Sequence, residues 1–207
     1  MRATREFEQT TRGVVTFVYD RNLFVHAGPM SRHDELMFYG VSVDGRLVKV
    51  RVVREVIDGK NADAAQIASA AQSYEHPKPG DVFEVPFDPR YLSLYDYRVA
   101  DAHTVQFAPV HPEYGLGSGT FTVDGRGDVV GYQYAPSVLP PHTTSATIVD
   151  ERRQALPGYW TVTQETQSYS GRYAIFGGDG TVRIDVMDFH RYPSLVAAVR
   201  AIAMPAR

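Results

Sequence analysis

The chain reads as a mainly β (α+β) protein: one strongly curved antiparallel sheet or half-barrel of about ten or eleven strands, with two or three short helices packed on it. Three observations point there. Runs of β-branched and aromatic residues alternate with polar ones along most of the chain. Turn dipeptides such as Asp-Gly and Pro-Gly recur between these runs at short spacing. No strand–helix–strand rhythm of the kind that builds a parallel sheet is visible.

The elements follow in order. Residues 5–11 suit a short helix with Phe7 as its large apolar anchor. Residues 14–19 form a first strand, residues 22–26 continue it after a polar break, and Gly28-Pro29 marks a turn. A hairpin follows, because residues 36–43 run into Asp44-Gly45 and residues 46–56 alternate beyond it, with Val48, Val50 and Val52 on one face. Asn61 can cap a helix over 62–75 whose small-residue face is Ala64, Ile67, Ala68 and Ala71. That face is expected to be buried against a sheet. Pro77, Pro79, Pro86 and Pro89 make the next stretch irregular, with an edge strand over 82–87. Further strands are expected at 91–99, 103–110, 120–123, 129–134, 144–150, 159–169, 172–176 and 181–189. Asp124-Gly125, Pro157-Gly158, Ser170-Gly171 and Asp179-Gly180 serve as turns among them. Residues 194–203 close the pattern as a helix.

Composition narrows the functions. Across 207 residues the pattern reads as a single domain over 1–207, because the proline-rich stretch is too short and too apolar for a linker. A chain of this size buries roughly 70% of its unfolded surface, so it can build a core without metals or cross-links. There is no cysteine, which excludes disulfides, thiolate metal sites and a thiol nucleophile. The formal charge is −3 with both signs interspersed, and no basic stripe suits nucleic acid. No apolar run reaches the roughly 20 residues of a membrane span. The first residues turn polar at once, unlike a signal peptide.

Local motifs carry little chemistry. Gly115-Leu116-Gly117-Ser118-Gly119-Thr120 lacks the lysine and following helix of a phosphate loop. Arg126-Gly127-Asp128 spells an adhesion tripeptide, but a hairpin tip demands such residues for backbone reasons. The histidines show no helical ligand pair; only His26, His33 and His142 lie on loops that could converge. Among the carboxylates, Glu84, Asp88 and Glu165 are the acid–base candidates, each more simply read as a surface group. No catalytic residue, metal ligand or cofactor is expected.

The aromatic residues say more. The chain has 13 Tyr, 10 Phe and one Trp, and many fall on strands. A tyrosine offers an apolar body and a hydroxyl, which suits either a strand core or the wall of a ligand cavity. Alternation groups Phe17 with Tyr19, and Tyr132 with Tyr134, while Trp160 shares a face with Val162. Phe17, Tyr19, Tyr132, Tyr134 and Trp160 are therefore the candidate ligand-binding residues, expected to line one cavity on the sheet's inner face.

The order of elements, a short helix over 5–11, long strands over 13–56, a helix over 61–75 and then a run of antiparallel strands, resembles the bacterial periplasmic lipoprotein-carrier (outer-membrane lipoprotein-sorting) superfamily. The resemblance implies an incomplete barrel around an apolar cavity lidded by helices and holding acyl chains. The expected function is then a non-catalytic binding or carrier protein for an apolar, lipid- or acyl-like small molecule. The expected location is periplasmic or otherwise exported, with the leader absent, or alternatively cytoplasmic. A carbohydrate- or protein-binding β-module is the second reading, and a hydrolase with a His/carboxylate site the third.

Overall fold

The computed structural model describes residues 12–77, 91–111, 116–139, 142–173 and 176–204. Strands β1 (Val14–Ala27), β2 (Met30–Val43), β3 (Arg46–Ile57) and the short β4 (Lys60–Asn61) come first, followed by helix α1 (Ala64–Glu75). A 3-10 turn at Leu92–Leu94 leads into β5 (Tyr95–Val99), β6 (Thr104–Pro109), β7 (Ser118–Val123) and β8 (Val129–Ala135). The long strands β9 (Thr143–Leu156), β10 (Tyr159–Tyr173) and β11 (Phe176–Tyr192) precede helix α2 (Leu195–Ala203).

All eleven strands belong to one sheet in the order β4-β3-β2-β1-β11-β10-β9-β8-β7-β6-β5. Every pairing is antiparallel, as the hairpin-rich sequence requires. The two ends of the order do not pair with each other, so the sheet curves without closing. Register shifts punctuate β1/β11, β2/β3, β7/β8 and β9/β10. Each bulge bends its strand and raises local twist, which turns a flat ribbon into a trough. One such bulge in β3 leaves Val48 exposed while Leu47, Val50 and Val52 pack inward, so the expected Val48–Val50–Val52 row does not form.

The chain's own chemistry explains most elements. Asp44-Gly45 does turn the β2–β3 hairpin, with φ of 50° and 79° at its two residues. Asp124-Gly125 opens a wider loop, in which Asp124 Oδ1 accepts from the backbone N–H of Arg126 and Asp128. The expected break between residues 19 and 22 is absent, because β1 is paired along both sides there. Ser170-Gly171 and Asp179-Gly180 are not turns either. They face each other inside β10 and β11, Ser170 opposite Asp179 and Gly171 opposite Gly178. Close backbone approach, rather than a turn, uses these glycines: a Cβ on Gly178 would stand 2.7 Å from the Ala27 Cβ.

Helix α1 starts two residues later than expected and is capped by Asp63, not Asn61, in a reciprocal capping box with Gln66. Its packed side is Ala70, Ala71 and Tyr74, against Leu36, Phe38 and Val50. Ala64 and Ala68 are exposed, which corrects half of the expected face: Ala71 packs on the sheet and Ile67 is half-buried, while Ala70 and Tyr74, the latter against Phe38, complete the packed side. Glu75 fastens its end, accepting from the Val50 N–H at 2.9 Å and pairing with Lys49 at 2.8 Å. Helix α2 begins at Ser194, as expected, and packs on the opposite face through Ala198 and Ile202 against Val41. Arg51 closes it by donating to the Ile202 and Met204 carbonyls while lying over the Tyr39 ring. The helix expected at 5–11 and the edge strand at 82–87 lie outside the described residues.

Candidate functional site

Alternation on the paired strands assigns each side chain to a face. The inner face, under α1, carries Phe17, Tyr19, Arg21, Leu23 and Val25 of β1. Its core is split. One cluster beneath α1 holds Leu36, Phe38 and Val50 with Phe17 and Tyr19. The other, on β5–β8, holds Tyr95, Phe107, Phe121, Val129, Tyr132 and Tyr134. Between them β1, β11 and β10 floor a groove.

Two cavities make up this groove. The first, about 360 Å³, is walled by Phe17, Tyr19, Phe38, Tyr159, Val186 and Phe189. Tyr19 stacks on Phe38 with centroids 4.4 Å apart, and its hydroxyl lies 3.3 Å from that of Tyr74 on α1. Phe17 lies across Gly40, where a Cβ would meet its ring at 2.5 Å, so this glycine is what lets the ring fold down. The second cavity, about 470 Å³, runs along Leu23, Val25, Ala27 and Tyr169 over Gly171, Gly178 and Gly180. Gln167 lines both. Volumes of this size fall within the range of roughly 300–1,000 Å³ usual for small-molecule sites.

A polar row crosses the inner face at the junction. Cross-strand neighbours run Leu36, Arg21, Ile184, Glu165, Asp150, Tyr132 and Phe121. Asp150 is 3% exposed, and its carboxyl is pushed up to about 8, first by burial and then by the Glu165 charge. Burial beside Glu165 thus favours the protonated form of Asp150, and the Tyr132 hydroxyl donates to the carboxyl. Tyr19, Tyr132 and Tyr134 are raised above the ordinary tyrosine range, and Tyr169 to about 12, each mainly by burial. Glu165 in turn accepts from Gln167, and Gln167 from the Tyr169 hydroxyl. Arg21 faces Glu55 and Asp34 on the α1 side.

Of the residues proposed from sequence, Phe17 and Tyr19 line the first cavity. Tyr132 and Tyr134 share the same inner face but belong to the β5–β8 cluster. Trp160 is half-buried, opposite Gln154, and is not among the residues lining either cavity. Glu165 stands in the groove, whereas Glu84 and Asp88 lie outside the described residues. Sequence reasoning passed over Asp150, Gln167, Tyr74 and Phe189. The alternation Ala146, Ile148, Asp150 was the signal for Asp150, since it places a carboxylate in an apolar row. Among the described residues no cluster of three or more His, Asp or Glu is placed to hold a metal ion, so His26, His33 and His142 do not converge on one.

No protein-family model matches the chain, and no curated protein matches it. Solved structures do. The chain is similar to an outer membrane lipoprotein-sorting protein domain from Vibrio parahaemolyticus, at 12% identity over 88% of this chain and 87% of that one, with a TM-score of 0.42. It is similar to a DUF1329 family protein from Desulfovibrio piger at 12% identity, over 97% and 95% of the two chains, with a TM-score of 0.43. Lipovitellin matches at 9% identity over 90% of this chain but 26% of its own length, with a TM-score of 0.40. All three are distant likenesses.

Proposed function

We propose that this is a non-catalytic binding or carrier protein that holds an apolar, lipid-like ligand along the inner groove. The observation that carries the reading is the split inner core: between its two packed clusters the sheet floors two adjoining cavities. The first is walled largely by aliphatic and aromatic side chains, and the second by Leu23, Val25, Ala27 and Tyr169 with a polar rim that includes His142, Arg172 and Asp179. An open curved sheet cannot fill its own trough, and α1 covers only one flank, so an elongated apolar molecule can exchange that surface for its own. An exported location accompanies this reading, and fractionation of host cells tests it.

The uncharged fluorophore N-phenyl-1-naphthylamine tests the groove directly. Saturable binding with a blue-shifted emission is expected. Val186→Asp, which sets an unpaired carboxylate in the first cavity, should weaken it about tenfold or more, an effect of 1.4 kcal/mol or greater. Val162→Trp, which fills the same cavity, should weaken it too. Thermal melts show whether each variant is folded. No saturable binding to the parent protein, or unchanged affinity in both folded variants, would overturn the reading.

A further inference from the structure

The polar row sits where an apolar groove has no use for it. Asp150 Oδ1 is buried and finds no hydrogen-bond donor, and the oxygen's neighbour across the strand is a second carboxyl, Glu165. Glu165 already accepts from Gln167 and Asp150 from Tyr132, so what is left unmet is the Asp150 Oδ1, which calls for a proton shared with Glu165 or a donor brought from outside. Glu165 lines the first cavity, so a donor entering the groove reaches this member of the pair, while Asp150 is buried and is not among the residues lining either cavity.

The surroundings select which donor. Tyr19, Tyr132, Tyr134 and Tyr169 all lie within electrostatic reach of Glu165, from three strands. A carboxyl pair set among phenol hydroxyls favours a cationic donor over a neutral one, because a hydrogen bond between opposite charges is the stronger. Of the two arginines near the pair, one is engaged elsewhere. Arg152, two residues along β9, donates to the Val129 carbonyl. Arg21, two strands from Glu165 in the same row, is within electrostatic reach of Glu55 and Asp34 on one side and of Tyr19 and Tyr169 on the other, with its buried Nε unpartnered. From α1 the group that reaches this region is Tyr74, against Tyr19. The row also lies at the junction of the two cavities, so a polar group held there can keep an apolar chain in either one.

We propose that the groove takes amphiphiles whose polar end is a protonated amine, with the ammonium hydrogen-bonded by Glu165 and Asp150 inside the tyrosine ring and the apolar chain lying in the adjoining cavity. This rests on the groove being a ligand site. The shared proton holds the place of the ligand's N–H in the empty protein, and an arriving ammonium displaces it to solvent. Net charge at the site changes little, because one proton leaves as one cation arrives. A carboxylate-headed chain meets the opposite situation, since its charge repels Glu165.

Isothermal titration calorimetry of the full chain at pH 7 tests this with dodecylamine, dodecanol and dodecanoate, each below its micellar range. Dodecylamine should bind at least tenfold more tightly than dodecanol, and dodecanoate should bind most weakly. Repeating the amine titration in buffers of different ionisation enthalpy should show release approaching one proton, with none for dodecanol. Glu165→Gln should bring the amine-to-alcohol affinity ratio close to one, and Asp150→Asn should abolish the proton release. If dodecanol or dodecanoate binds as tightly as the amine, the amine assignment falls while the groove stands. If none of the three binds, the groove reading falls with it.

Discussion

Replacing Asp150 with Asn should make the protein less sensitive to alkali, because this one carboxyl carries a large pH-dependent cost. Its native pKa is pushed from an ordinary 3.8 to about 8 by burial and by the neighbouring Glu165. An acid whose pKa is raised by folding binds its proton more tightly in the native state. The stability it lends is present in full below the unfolded pKa and is lost as pH climbs towards 8. Between pH 5 and pH 9 the loss spans three units, at about 1.4 kcal/mol each, or on the order of 4 kcal/mol. Asn keeps the shape and can still accept from the Tyr132 hydroxyl, but it has no proton to lose. Urea denaturation of both proteins at pH 5, 7 and 9 reads the effect. The parent should lose several kcal/mol more than Asp150→Asn across that range, with the gap opening above pH 5. Parallel stability curves for the two proteins would refute the reasoning, since every other titrating group is common to both.

Two further substitutions probe how the helices are held. Glu75→Ala removes the acceptor of the Val50 N–H and the partner of Lys49, and should cost about 1.5–3 kcal/mol. Hydrogen exchange should then show faster opening in α1 than in α2; equal protection in both would mean that Glu75 does not tether α1. Arg51→Ala strips two carbonyl bonds from the end of α2 and the cation from the Tyr39 ring, for about 1–3 kcal/mol in thermal or urea melts. Arg51→Lys should recover only part of that, because an ammonium cannot reproduce the planar fork; full recovery would count against the bonding described.

Much of the fold was legible because antiparallel hairpins are local. Asp44-Gly45 and Pro157-Gly158 turn the chain where their backbone freedom predicts, and Ser194 caps α2 as a serine before an apolar run should. Misreadings came where a residue's usual role yields to a neighbour distant in sequence. Gly171 and Gly178 look like turn residues, yet they are spaces left for strands that crowd one another, and only the pairing of β10 with β11 reveals that. Val48 has the right parity for the core, but a bulge slips the register and turns it out. The site was harder still. Phe17 and Tyr19 could be proposed from their apolar row, whereas Asp150 sits between Val149 and Glu151 and looks like one more surface acid. Its importance arises from Glu165 and Tyr132 standing on either side, on strands whose registers bulges had shifted.

The place of β1 has a consequence for how this sheet is assembled. It pairs on one edge with β2, across a two-residue turn, and on the other with β11, where Val14 meets Tyr192. The first pairing is among the most local contacts in the protein and the second among the most distant, so they form on very different timescales. As the polypeptide emerges, β1, β2 and β3 can zip into a small sheet long before β11 exists. During that interval β1 presents a bare row of backbone donors and acceptors beside Val14, Val15, Phe17 and Val18, the kind of edge that recruits strands from other molecules. A strand that ends up as the sheet's interior thus begins as its most vulnerable border. Closure by β11 is what removes that edge.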